Sequence, residues 1–153
     1  MKLTQLDTIS ACEKGMSVTI RDADGVETDI RVHIVGVDSA IYRDESRRID
    51  ARKQLATKRG KELDGDDLEE AYIGLLAACT TGWDKLEADA TLAADLGGEL
   101  DGEQLKFSRE VARALYRRFP LIKGQVFAAL LDRAAFLGNA SEPSSTSSKP
   151  KRG

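Results

Sequence analysis

From Val18 to Val35, apolar and polar side chains alternate on either side of one turn, Asp22-Ala23-Asp24-Gly25. Val18 and Ile20 alternate with Thr19 and Arg21 before it. Thr28, Ile30, Val32 and Ile34 alternate with Asp29, Arg31, His33 and Val35 after it. Period-two alternation around an Asp- and Gly-bearing turn predicts a β-hairpin at about 16–36. Ile30, Val32 and Ile34 are expected to face a core, with Asp29, Arg31 and His33 facing water. An isolated hairpin is marginal in water, so this one must pack on helices or pair its edge with another chain.

The flanking sequence supplies helices. Leu3, Leu6, Ile9 and Cys12 recur every third residue, and Gly15 stands where a helix C-cap glycine would, which predicts a short amphipathic helix. After the hairpin, Asp38 or Ser39 can N-cap a charge-dense helix at about 40–62. Its apolar residues Ile41, Tyr42, Ile49, Leu55 and Ala56 form only a narrow seam. Asp44 and Arg48 form an expected i,i+4 pair. Asp64-Gly65-Asp66-Asp67 interrupts the pattern, with Asp66 and Glu69 in capping-box spacing. A helix at about 66–81 follows, with Leu68, Ala71, Tyr72, Leu75, Leu76 and Cys79 along one face.

Residues 84–107 read as a loop with a weak helical piece, a turn at Asp101-Gly102, and Leu105 and Phe107 pointing inward. Ser108 then N-caps a helix at about 108–118, with Val111, Ala114, Leu115 and Phe119 on one face. Pro120 opens the next, at about 120–137, whose face is Val126, Phe127, Leu130, Leu131, Ala134 and Leu137, with Gly138 at its end. From Ala140 onward Ser, Pro, Thr and Lys dominate, which predicts a disordered tail or linker at 140–153. The expected fold is α+β: a hairpin or small antiparallel sheet and a mainly helical body in one domain, 1–139, followed by that tail.

Chemistry is harder to find. The one histidine, His33, sits on the expected solvent side of a strand, with Asp29 as its nearest candidate partner. Cys12 and Cys79 are far apart and lack metal-ligand spacing. Asp22–Gly25 and Asp64–Asp67 resemble fragments of calcium loops, but neither continues to a bidentate Glu. Turn and capping chemistry accounts for both. No glycine-rich phosphate loop follows a strand. No catalytic residue, cofactor or metal site is expected. The net charge is −3 and the pI about 5.3, which argues against a dedicated nucleic-acid binder. The basic residues between Arg43 and Lys61 are interspersed with acids and read as a solvated helix face. No run approaches a membrane span and no signal peptide is evident, so a cytosolic protein is expected.

Several segments, in order, resemble the tail assembly chaperones of long-tailed phages. They are Gly15-Met-Ser-Val-Thr-Ile20, the Asp24-Gly25 turn, Val35-Gly36-Val37-Asp38-Ser39 and the charged helix opened by Tyr42-Arg43. Leu75-Leu76-Ala77-Ala78, Trp83, and Asp101-Gly102 through Leu105-Lys106-Phe107-Ser108 follow. The closest stretch is Leu115-Tyr116-Arg117-Arg118-Phe119-Pro120-Leu121-Ile122, continuing through Gln125-Val126 and Asp132-Arg133-Ala134-Ala135-Phe136-Leu137. The likeness spans about residues 15–138. Residues 84–100 look like an insertion, and Arg109-Glu110-Val111 lacks the Asn expected after the Glu.

The resemblance implies a non-enzymatic protein of the host cytoplasm that is lost from the finished virion. Its implied partner is the tape measure protein, which it keeps soluble and competent for assembly; the major tail tube protein and further copies of itself are additional candidate partners. A longer frameshifted product is a further implication, for which the Ser-rich tail suits a connector. Candidate partner-binding residues are Leu75, Leu76, Leu115, Phe119, Val126, Phe127, Leu130 and Leu131. Two alternatives stay open: a head–tail completion or minor tail structural protein, and a small nucleic-acid-binding regulator.

Overall fold

The computed structural model describes residues 1–141. One turn of 3₁₀ helix, Leu3–Leu6, leads into α1, Thr8–Lys14, which starts where the Asp7 carboxylate accepts from Ser10 N at 3.0 Å. Of the every-third stripe only Cys12 is buried; Leu3, Leu6 and Ile9 face outward. Gly15 ends α1 with φ of +83°. A Cβ there would stand 2.6 Å from the Ile34 carbonyl oxygen, so both the backbone and the space demand glycine.

The hairpin is present as β1, Met16–Arg21, and β2, Glu27–Ile34, antiparallel with Val18 opposite Val32. Val32 and Ile34 are buried as the alternation predicts, and Ile30 packs against the core. Asp22 closes the turn by accepting from Asp24 N and Val26 N. The hairpin also gains a third strand. Thr80–Asp84 is β3, antiparallel to β2, with Val32 opposite Trp83. The sequence reading ended a helix there instead. The chain itself thus supplies the partner for one edge of β2.

α2, Ala40–Lys58, starts at Ser39, whose Oγ accepts from Tyr42 N. It buries Ile49 alone among its residues, as a narrow seam implies. Its charges pair as Asp44–Arg47 and Glu45–Arg48, one residue off the expected Asp44–Arg48 spacing. α3, Gly65–Cys79, is capped by Asp64, not Asp66. It lies at the centre of the fold, against α2, the sheet and the later helices. Ile73 and Ala77 are therefore buried along with Leu75, Leu76 and Cys79, while Tyr72 reaches the surface.

Residues 84–107 are more ordered than a loop. They hold α4, Ala90–Asp95, and a minimal hairpin of β4, Leu100–Asp101, and β5, Gln104–Leu105, turning at Gly102. Leu86, Ala93, Leu96 and Leu105 are buried, and the Trp83 indole N–H donates to the Leu105 carbonyl at 2.8 Å. Phe107 does not point inward: it stands at the rim, edge-on to Trp83.

α5, Arg109–Arg118, begins at the expected Ser108 cap. The single helix expected at 120–137 is two: α6, Pro120–Leu130, and α7, Arg133–Ser141. Asp132 breaks them by accepting from Ala135 N, which caps α7. Gly138 lies within α7 and does not end it, and Phe136 is fully buried. Ala140 and Ser141, assigned to the tail above, belong to α7; the tail residues 142–153 lie outside the described residues. The buried apolar side chains form one cluster.

Candidate functional site

The eight candidate partner-binding residues divide sharply. Leu75, Leu76, Leu115, Val126 and Leu130 are buried in the core and cannot touch a partner while the domain is folded. Phe119 and Phe127 are half-buried against that core. Only Leu131 is well exposed, at 46%. The apolar pattern identified core and surface positions alike, because burial within the chain and burial against a partner select the same residue types.

Around Leu131 the structure shows a surface that the candidate residues only touched. α6 reads Pro-Leu-Ile-Lys-Gly-Gln-Val-Phe-Ala-Ala-Leu. Its two polar side chains are both held by the rest of the fold. Lys123 Nζ lies 2.9 Å from Glu69 of α3. The Gln125 amide is bonded to the backbone of Arg21 in β1. Val126 and Leu130 fill the inner face. Leu121, Gly124 and Ala128 are left facing outward, with Leu131 just beyond the last turn. A helix apolar around its circumference is ordinarily covered on every side. Here one side is bare.

A tighter set of contacts lies elsewhere, where two segments that carry the phage resemblance meet. Val37 N donates to Leu130 O at 3.1 Å. Arg133 grips Asp38 through Nε and Nη2, at 2.7 and 3.0 Å. That guanidinium holds the Asp38 carboxyl down at about 2. Gly36 lies against Phe136 and Cys12 so closely that a Cβ would be 2.9 Å from the ring and 2.5 Å from the sulfur. Similar ties bind the helices. Arg117 takes both Glu70 oxygens, and Arg109 reaches Glu45 on α2.

His33 has a different partner from the expected Asp29. On the outer face of the sheet, Ser17 Oγ is 2.7 Å from His33 Nδ1, and Asp84 Oδ2 is 2.9 Å from His33 Nε2. Ser17 is on β1 and Asp84 on β3, so the imidazole ties the central strand to both neighbours. The order serine–histidine–aspartate invites comparison with a hydrolytic relay. The Asp84 side chain is 63% exposed, however, and bulk water competes for its bond to the imidazole. A cross-strand clamp accounts for the contacts. Beside it is a shallow depression of about 390 Å³ lined by Glu13, His33, Thr81 and Asn139.

Burial pushes the Cys79 thiol up to about 12 and also raises Cys12. Tyr116 is pushed up to about 12 by the same cause, and its hydroxyl is 2.7 Å from Thr80 Oγ1 inside the core. Among the described residues, no three His, Cys, Asp or Glu side chains are grouped to hold a metal ion. No described helix is long and apolar enough to cross a membrane. Comparison of the chain with family models, curated proteins and solved structures returned no match.

Proposed function

We propose that this chain is a tail assembly chaperone of a long-tailed phage, which binds apolar faces of helical tape measure segments and keeps that protein soluble until the tail tube assembles around it. The observation that carries the proposal is the bare outer face of α6. It offers Leu121, Ala128 and Leu131 to solvent beside a helix whose polar side chains are tied to neighbouring elements. A face of this kind suits an amphipathic helix laid along it. The ordered motifs behind the resemblance also have physical work in this chain. Gly15 and Gly36 permit close approaches, Ser39 and Ser108 cap helices, and Gln125 and Arg133 join distant elements.

Within this proposal the charged surface of α2 keeps the loaded complex dispersed. Asp44 and Glu45 pair with Arg47 and Arg48 along the helix, so acids are interspersed among its bases, which favours a solvated face over a phosphate-binding one. The test is a pull-down of co-expressed tape measure protein by the tagged chain. Wild type is expected to retain it, and Ala128→Glu to release most of it. No retention by wild type would sink the proposal. Finding the chain in purified virions would favour a structural tail component instead.

A further inference from the structure

Three arginines of α5 stand in one row. Arg109, Arg113 and Arg117 are spaced i, i+4 and i+8, so they share a face of the helix. The two outer ones are matched to carboxylates. Arg109 Nη2 donates to Glu45 of α2 at 2.7 Å. Arg117 donates through Nε and Nη2 to both oxygens of Glu70 of α3, at 2.9 and 2.6 Å. The middle arginine has no such match among the described residues and acts on Glu70 only through space. Its guanidinium lies over Gly74 of α3, where an added Cβ would stand 3.0 Å from Nη2. Gly74 is inside a helix, where glycine is a poor former, and the close approach of Arg113 accounts for it. Arg113 and Arg52 of α2 line one depression of about 280 Å³, together with Leu63, Ala71 and Gly74. Among the described residues Arg52 has no ion pair.

We infer that this depression receives a carboxylate from an acidic segment of another protein, which completes the arginine row between Glu45 and Glu70. Guanidinium forks match planar carboxylates. The charge around the site calls for an anion. Arg48, Arg52, Arg109, Arg113 and Arg117 stand against Glu45, Asp67 and Glu70, which leaves cations in excess. Arg52, Lys53, Lys58, Arg59 and Lys61 follow along the chain with no acid between them, a field that draws an acidic chain toward the site. An extended occupant fits better than a lone ion. A second depression, of about 230 Å³, shares Leu63 with the first and is lined by Lys53, Thr57, Glu62 and Leu68. The surface between α2 and α3 thus continues with apolar groups and a further cation. Nucleic acid suits the site less well. The three carboxylates oppose a continuous phosphate chain, and among the described residues no aromatic ring lines either depression for a base to stack on. The site shares no residue with the outer face of α6, and its test needs no tape measure protein.

The experiment titrates the full chain into a fluorescein-labelled peptide of eight glutamates and two leucines at low ionic strength and follows the anisotropy. Wild type is expected to bind, with affinity falling as salt is added. Arg113→Gln should weaken binding by about tenfold, through loss of a charge-assisted pair. It breaks no ion pair of the fold, so its melt should match wild type. Lys58→Gln with Lys61→Gln removes more charge, from side chains that line neither depression, and should weaken binding only by about twofold. Gly74→Ala separates a binding role from a structural one. Its methyl displaces the Arg113 guanidinium and should weaken the peptide severalfold, while the better helix former holds or raises the melting temperature. No binding by wild type, a greater loss from the lysine pair than from Arg113→Gln, or full binding by Gly74→Ala overturns the proposal. So does tighter binding of a labelled oligothymidine with the same Arg113 dependence, which would assign the site to nucleic acid. Inorganic phosphate that competes as strongly as unlabelled peptide overturns it too, by assigning the site to a small anion.

Discussion

The side chain of Gln125 pairs with the backbone of Arg21 as a neighbouring strand would. Its Oε1 accepts from Arg21 N at 2.7 Å and its Nε2 donates to Arg21 O at 2.8 Å. The amide thereby occupies backbone groups at the end of β1, the strand whose outer edge has no β neighbour among the described residues. Free strand edges recruit other chains, and blocking them is a recurrent protection. Gln125→Ala is expected to lower stability by about 1–2 kcal/mol and to leave the Arg21 end of the edge open. The urea midpoint measures the first effect and light scattering after mild heating the second. Gln125→Glu keeps an acceptor for Arg21 N but sets a carboxylate against the Arg21 carbonyl, so it should be at least as unstable at neutral pH.

Two glycines should respond in opposite ways to the same change. At Gly36 an added methyl meets Cys12 Sγ and the Phe136 ring inside van der Waals distance. Gly36→Ala should therefore cost about 1–3 kcal/mol through overpacking. Gly124 lies in a helix with open space beside it. Gly124→Ala should be neutral or stabilise by up to about 1 kcal/mol, because alanine gives up less backbone freedom. Thermal melts of the two variants decide this.

Asp38 and Arg133 make stability depend on acid pH. Arg133 holds the folded-state carboxyl at about 2, against about 4 in an unfolded chain. A depressed folded value means that the pair's contribution is fully present above about pH 4 and fades as pH falls through about 2. Asp38→Asn should thus lower the urea midpoint at neutral pH and converge on wild type near pH 2. A difference that persists undiminished in strong acid would show that the pair does not act through its charge.

Cys12 and Cys79 are buried, and burial raises both thiol pKa values. Thiolate is the reactive form. The native chain at about pH 8 should therefore resist a thiol reagent such as dithionitrobenzoate, and react with two equivalents once unfolded in urea. Rapid native reaction would contradict the burial described above.

The hairpin was legible because alternation and an Asp-Gly turn are local signals. Strand β3 was not. It continues from α3 without a turn, from Cys79 directly to Thr80, and contains Gly82. What makes it a strand is pairing with β2, a partner nearly fifty residues earlier, which no local pattern carries. The break between α6 and α7 has neither Pro nor Gly to mark it. Asp132 followed by Arg133-Ala134-Ala135 was the available cue, an N-cap inside an apolar run. The candidate site failed for a related reason. On α6, Val126 and Leu130 face in while Leu121, and Leu131 just past its end, face out. An all-round apolar helix gives no sequence signal for which of its faces is covered. The inward ties of Lys123 and Gln125 decide it, and those depend on Glu69 and Arg21 arriving from elsewhere in the chain.

The most direct measurement is the solubility of the tape measure protein itself. It would be expressed alone, with the wild-type chain, and with Ala128→Glu, and the fraction left in solution after centrifugation quantified. A severalfold larger soluble fraction with wild type, largely lost with the variant, is the expected result. A tape measure protein equally soluble in all three, or rescued equally by the variant, would contradict a chaperone acting through the outer face of α6.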